Sequence, residues 1–227
     1  MPAIYVPTRG PEDWKRLLAE PDLHWKTGRS ARALAHCWEE ARGFPPEVAA
    51  LFAGSDPAVF ADLELLLALP EHQVPLPGGR RNSQNDLWCL ARGRGGLVSL
   101  AVEGKVSETF DKTMAEWSRD MSQGKRVRLE FLQDRVGLAG DLPGSIRYQL
   151  LHRAACAVIE AQRFAAPAAV MLVHSFSPTR EWFADYAAFL GLFAASPADA
   201  GLTRLGAPHG IALHAGWAAG NPRFLAV

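Results

Sequence analysis

The chain is poor in cysteine, in net charge and in uninterrupted apolar runs, and each shortage removes a class of protein. Its three cysteines, Cys37, Cys89 and Cys156, are odd in number and far apart, with no C-x-x-C pair. That pattern gives neither a disulfide framework nor a zinc ribbon nor a redox centre, so they read as reduced core residues. Lysine plus arginine equals aspartate plus glutamate, 24 against 24. No bulk positive field therefore draws nucleic acid to the molecule, and any such attraction must be local. No stretch of about 18 uncharged apolar residues is available to span a bilayer. The opening MPAIYVPTRGPEDWKRL lacks the basic start, apolar middle and small-residue cleavage site of a secretory signal. A soluble, cytoplasmic protein with no membrane partner is expected.

What is present is one continuous run of elements. There is no internal repeat, and the Pro/Gly clusters at 75–79 and 206–210 are short enough to be loops inside a single domain spanning 1–227. Ser30 or Thr27 can cap a first helix carrying Ala31, Leu34, Ala35 and Trp38 at helical spacing and ending near Gly43. A second helix follows over 46–53. The run LELLLAL, 63–69, bounded by Pro70, reads as a buried strand. DLWCLAR, 86–92, and LVSLAVE, 97–103, flank the turn GRGG and form a hairpin. Residues 110–133 read as helical with a break at Gly124, and 145–164 as the strongest helix. Then come a buried strand over 168–176, an amphipathic helix over 179–194 and a last strand over 210–218. The order α, β, β, β, α, β, α, β implies a single-domain α/β fold, with a mixed central sheet flanked by helices.

The chemistry concentrates in LVSLAVEGKVSE, 97–108, where an apolar strand ends on Glu103 and Lys105. Two residues apart in a strand, these side chains share one face. Antiparallel pairing about the 93–96 turn sets Asp86 opposite Glu103. Neighbouring carboxylates near a sheet interior repel unless a cation sits between them, and a hard divalent ion is the natural remedy. The competing reading is an exposed Glu103/Lys105 ion pair at a strand end. The apolar approach LVSLAV favours a site.

Asn85-Asp86 followed by Glu103-Gly104-Lys105 at the end of a hairpin, with helices before and after, resembles the PD-(D/E)XK nuclease superfamily, although Asn85 stands where the motif has proline. The resemblance covers roughly residues 30–217. It implies a restriction endonuclease-like αβββαβ core with an added helix and strand, hydrolysing phosphodiesters of DNA or RNA. It further implies Mg²⁺ (or Mn²⁺) on Asp86 and Glu103 with the Gly104 carbonyl as a third ligand, and Lys105 orienting the attacking water. Members of that superfamily often add an acidic residue from the first helix. Of Glu39 and Glu40, the apolar stripe leaves Glu39 on its flank and Glu40 toward water, so Glu39 is the expected extra ligand.

Further substrate contacts are expected from Arg80, Arg81 and Gln84 on the glycine-rich loop before Asp86, and from Gln149 and Arg153 on the polar face of the long helix. His174, at the carboxyl end of a strand, either lines the pocket or is a satisfied histidine. Two rivals stand beside the nuclease expectation. One is a non-catalytic interaction module on the same scaffold; the other is a small-molecule hydrolase using His174 and a nearby serine, weakened by the absence of G-x-S-x-G. The sequence leaves a homodimer possible.

Overall fold

The structure is a computed structural model in which residues 8–227 are described. A short 3-10 segment (Pro11–Leu17) leads into α1 (Pro21–His24), α2 (Ser30–Ala41), α3 (Pro46–Ala53) and α4 (Pro57–Phe60). Strands β1 (Glu64–Val74), β2 (Ser83–Gly93) and β3 (Gly96–Lys105) follow, then α5 (Met114–Trp117), α6 (Gln123–Val136) and α7 (Tyr148–Arg163). The chain closes with β4 (Ala168–Ser175), α8 (Phe183–Gly191), β5 (Thr203–Gly206) and β6 (Ala212–Ala219).

All six strands form one open mixed sheet in the order β1-β2-β3-β4-β6-β5. β1, β2 and β3 make an antiparallel meander; β3, β4 and β6 run parallel; β5 returns antiparallel along β6. Every residue of β4 is buried, as a central parallel strand covered on both faces requires. On one face α7 contributes Leu150, Leu151, Ala154 and Val158 to a core shared with Leu132 and Val136 of α6. On the other, Leu34 and Trp38 of α2 and Val48 and Phe52 of α3 pack over Val98, Leu100 and Val102 of β3. The fold is the expected single-domain α/β architecture.

Three elements depart from the sequence expectation. β1 does not stop at Pro70 but continues to Val74. Proline lacks the N–H that a ladder needs, yet β1 is an edge strand, a position in a sheet where that loss is tolerated. The four-residue β5 carries too few residues for its alternation to stand out. The third departure concerns the 110–133 stretch, which does break, but at 118–122 between α5 and α6, and not at Gly124. That glycine lies in the first turn of α6, whose N-terminus Ser122 caps by accepting the Lys125 N–H at 3.3 Å.

The reason for glycine at 124 is the loop 75–82 between β1 and β2, whose Gly78 backbone lies directly on it. A Cβ at either glycine would run into the other's carbonyl, and Gly78 also has φ +77°. Arg128 of α6 completes the attachment, donating to the carbonyls of Pro77 (2.9 Å), Leu76 (3.3 Å) and Arg81 (2.8 Å). The loop is thereby held rigidly against α6. Gly78→Ala is expected to lower the unfolding free energy by about 1–3 kcal/mol in urea titrations, through overpacking as well as strain. Gly140→Ala, at φ +78° with open space around it, should cost only the conformational part, ~1 kcal/mol. Equal losses in the two variants would contradict the docking of the loop.

Candidate active site at the carboxyl end of the parallel strands

The ladder between β2 and β3 ends at Leu87 paired with Val102, so the next residues outward, Asp86 and Glu103, project side by side. Between β1 and β2, Glu71 falls between the pairs Pro70/Leu87 and His72/Asn85, which sets it beside Asp86. Three adjoining strands thus each bring a carboxyl to one level, where β3 and β4 end. These groups, with Lys105, Gln84 and Gln149, line a cavity of about 410 Å³ closed on one side by Ser30 and Ala31 of α2.

Glu71 reaches this position through a local irregularity. It has φ +55°, in the left-handed region that costs a non-glycine residue energy. Ala68 before it belongs to the core on the α2 side and Val74 after it to the core on the α7 side. A regular strand would keep residues an even number apart on one face. The strand therefore changes its facing around Glu71.

Glu103 is almost wholly buried and doubly paired. Its Oε1 accepts from Lys105 Nζ at 2.6 Å and its Oε2 from Arg153 Nε at 2.5 Å. Lys105 also donates to Gln149 Oε1 at 3.1 Å and lies 4.9 Å from the Phe110 ring centre. Arg153 is braced in turn: its Nη1 donates to Ser83 Oγ at 3.0 Å, and Ser83 stands 2.7 Å from His152 Nδ1. Burial, followed by the Arg153 charge, holds His152 well below its ordinary range, so it is a neutral acceptor for the Ser83 hydroxyl. Asp86 Oδ2 accepts the Gly104 N–H at 2.8 Å, while its Oδ1 lies 3.9 Å from Arg153. Glu71 Oε2 accepts from Gln84 Nε2 at 2.6 Å.

The electrostatics separate the three acids. Burial raises Glu103, but the Arg153 and then the Lys105 charges outweigh it and hold the group below the usual carboxylate range. Asp86 is pushed up to about 7 by burial and the Glu103 charge. Glu71 is pushed up to about 8 by burial and the Asp86 charge. One acid is thus neutralised by internal cations, whereas burial and neighbouring negative charge push the two others toward the neutral form. Those two, with Glu103 behind them, are an all-oxygen donor set, which fits a hard dication such as Mg²⁺ or Mn²⁺ rather than a soft metal.

Of the residues singled out in the sequence, Asp86, Glu103, Lys105, Gln84, Gln149 and Arg153 converge here, and Gly104 contributes its N–H to Asp86. Arg80 and Arg81 line an adjoining pocket instead. Two expectations need correction. Glu39 is not part of the site: Ala31 lines the cavity, and Glu39 lies about two turns, ~12 Å, further along α2, where it accepts from Trp14 Nε1 at 2.9 Å and Thr8 Oγ1 at 3.3 Å. His174 does not line the pocket either. It is fully buried, with the α2 indole of Trp38 donating to its Nδ1 (3.1 Å) and Glu47 2.9 Å from its Nε2. Both ring nitrogens are satisfied without a serine. Glu71 is not among the expected residues because Pro70 reads as the end of a strand; the four further residues of β1 set it opposite Asp86.

His174, Glu47 and Cys37 also form a group whose ligand atoms lie within 4.8 Å of one another. The Trp38 N–H requires the lone pair on Nδ1, which leaves the proton on Nε2, the atom that would have to bind an ion. Burial keeps the ring neutral, and burial with the Glu47 charge pushes the Cys37 thiol up. This arrangement is a buried hydrogen-bonded chain and not a ligand set.

The fold and the cavity define an α/β single-domain protein with a carboxylate and lysine pocket at the carboxyl end of parallel strands. The chain belongs to a family described as a domain of unknown function, DUF6946, which it matches over residues 7–222. No curated protein and no solved structure matches it.

The raised carboxyls have a thermodynamic consequence. Without a metal, the folded state keeps a proton on Glu71 up to about pH 8, whereas the unfolded chain releases it near 4.5. Since the native state binds more protons in that window, stability falls as pH rises through it. Glu71→Gln should melt close to the parent at about pH 5 and above it at about pH 9 in EDTA. A melting difference that does not change with pH would contradict the placement of Glu71 among charged neighbours.

Proposed function

We propose that the protein is a divalent-metal-dependent phosphodiester hydrolase acting on DNA or RNA. The observation that carries this reading is the convergence of Glu71, Asp86 and Glu103 with the ammonium of Lys105 in one cavity at a sheet end. Glu71 and Asp86 would hold the ion, with Glu103, whose two oxygens are paired with Lys105 and Arg153, behind them. When bound, the ion supplies an activated water and offsets the charge that develops on the phosphoryl group.

The chain's own residues divide the remaining work. Glu103 and Gln149 fix the Lys105 ammonium through two of its three donors, at 2.6 and 3.1 Å. The third donor is left for the attacking water or a phosphoryl oxygen, a charge-assisted contact that strengthens as negative charge builds. Arg153 pairs with Glu103, and Glu103 in turn holds the buried Lys105 side chain in place. The Gly104 N–H fixes the Asp86 carboxylate, which lowers the reorganisation needed at reaction.

A second reading has one observation in its favour. Both oxygens of Glu103 already carry a cation partner, as in a site kept for stability or ligand binding in a non-catalytic module. Calorimetric titration with Mn²⁺ separates the two, because a pure scaffold gives no binding heat.

The direct test uses supercoiled, linear and single-stranded DNA and RNA with Mn²⁺ or Mg²⁺. Asp86→Asn and Lys105→Met are expected to lower cleavage by about 10²-fold or more while circular dichroism stays at the parent's signal. EDTA should stop it. Absence of cleavage of every substrate by the parent, or variants that cut as well as the parent, would overturn the assignment.

A further inference from the structure

The cavity with the carboxylates is a poor place for a polyanion to approach, since Glu71, Asp86, Glu103, Glu108 and Asp111 all line it against one lysine. Next to it, with Asp111 lining both, lies a second pocket of about 460 Å³ with the opposite character. Arg80 and Arg81 come to it from the loop 75–82, Lys112 from the segment before α5, and Lys125 and Arg128 from α6. Asp111 is the single acid in its lining.

In a chain with equal numbers of both charges, an uncompensated group of five cations stands out. Among the described residues none of the five has a carboxylate partner. Arg128 and Lys125 bond backbone carbonyls, those of the loop and of Trp117 (2.7 Å) respectively. Arg80, Arg81 and Lys112 are exposed, and among the described residues their side chains have no hydrogen-bond partner. The pocket is also built. Gly78 against Gly124 and the three Arg128 bonds hold the loop on α6, and the stacked rings of Trp117 and Tyr148, 4.3 Å between centres, form its wall. One face of Trp117 is taken by Tyr148, and Lys125 stands 5.4 Å from its ring centre, so the pocket offers charge and not a free platform for stacking bases.

From this juxtaposition we infer that the pocket of Arg80, Arg81, Lys112, Lys125 and Arg128 takes backbone phosphates of a polynucleotide strand whose neighbouring phosphate enters the acidic cavity. The inference rests on the hydrolase reading and deepens it: the substrate is a chain long enough to place phosphates in both pockets at once, not a mononucleotide or a small diester. Phosphate contacts of this kind position a strand without reading its sequence. They also give affinity a salt dependence set by the number of phosphates neutralised.

The test measures binding apart from chemistry. A fluorescein-labelled single-stranded 15-mer is titrated with the protein in EDTA, with anisotropy read at several salt concentrations. The parent should bind with a negative slope of log affinity on log salt. The triple variant Arg80→Ala/Arg81→Ala/Lys112→Ala should bind at least about tenfold more weakly, with the slope reduced by about 2, at roughly 0.7 per phosphate contact. A control removing the same charge elsewhere on the surface, Arg92→Ala/Arg94→Ala/Arg204→Ala, should leave affinity and slope within about twofold of the parent. No binding by the parent, or equal losses in the two triple variants, would overturn the inference. Cleavage of the same 15-mer by the parent with Mn²⁺ is run in parallel. Its absence would count against the hydrolase reading alone, because the anisotropy does not depend on cleavage.

Discussion

The arrangement depends on one buried charge. Glu103 lies within the sheet at 2% exposure, where an isolated carboxylate would cost several kcal/mol, and it is held there by Lys105 on its own strand and Arg153 on α7. Each partner carries a constraint back into the fold. Lys105 must share a face with Glu103, which the two-residue spacing guarantees. Arg153 must reach across from α7, which the packing of Leu150, Leu151 and Ala154 on the sheet secures. Ser83 and His152 then fix the far side of the guanidinium. The ionic group is thus a joint between sheet and helix as well as the floor of a cavity.

Because those two cations are committed to Glu103, the other acids are left short of positive charge. Burial, together with that deficit, pushes Asp86 and Glu71 up toward neutrality, and this is the physical basis for proposing a dication in the cavity. The same deficit makes the cavity unattractive to phosphate by itself. In the proposed reading, a basic pocket directly alongside, mounted on a loop that two glycines and Arg128 lock to α6, would supply the missing attraction locally. Division of labour between an acidic centre and a cationic rim is then how a chain of zero formal net charge would hold a polyanion at one place.

Much of this was legible in the order of residues. Glycines at both ends of the 93–96 turn fixed the hairpin register, and with it the meeting of Asp86 and Glu103. The helical spacing of 145–164 identified α7 and placed Gln149 and Arg153 on one face. What escaped was decided by tertiary context. Pro70 reads as a terminator unless the strand is known to lie at the edge, so Glu71 was out of view. Glu39 sits correctly on the flank of its helix, but the choice between flanks and ends belongs to packing, and Trp14 claims it. His174 ends a strand where ligands often gather, yet the indole that occupies its Nδ1 comes from a residue 136 positions away. Gly124 looked like a break because nothing local reveals that another backbone presses on it.

The most direct measurement of the central claim is anomalous diffraction from crystals soaked in Mn²⁺. The account predicts one strong peak in the cavity, with oxygens of Asp86 and Glu71 at about 2.2 Å and Glu103 still bonded to Arg153. A peak at Cys37, Glu47 and His174 instead, or an empty cavity at saturating Mn²⁺ while the crystal remains intact, would contradict it.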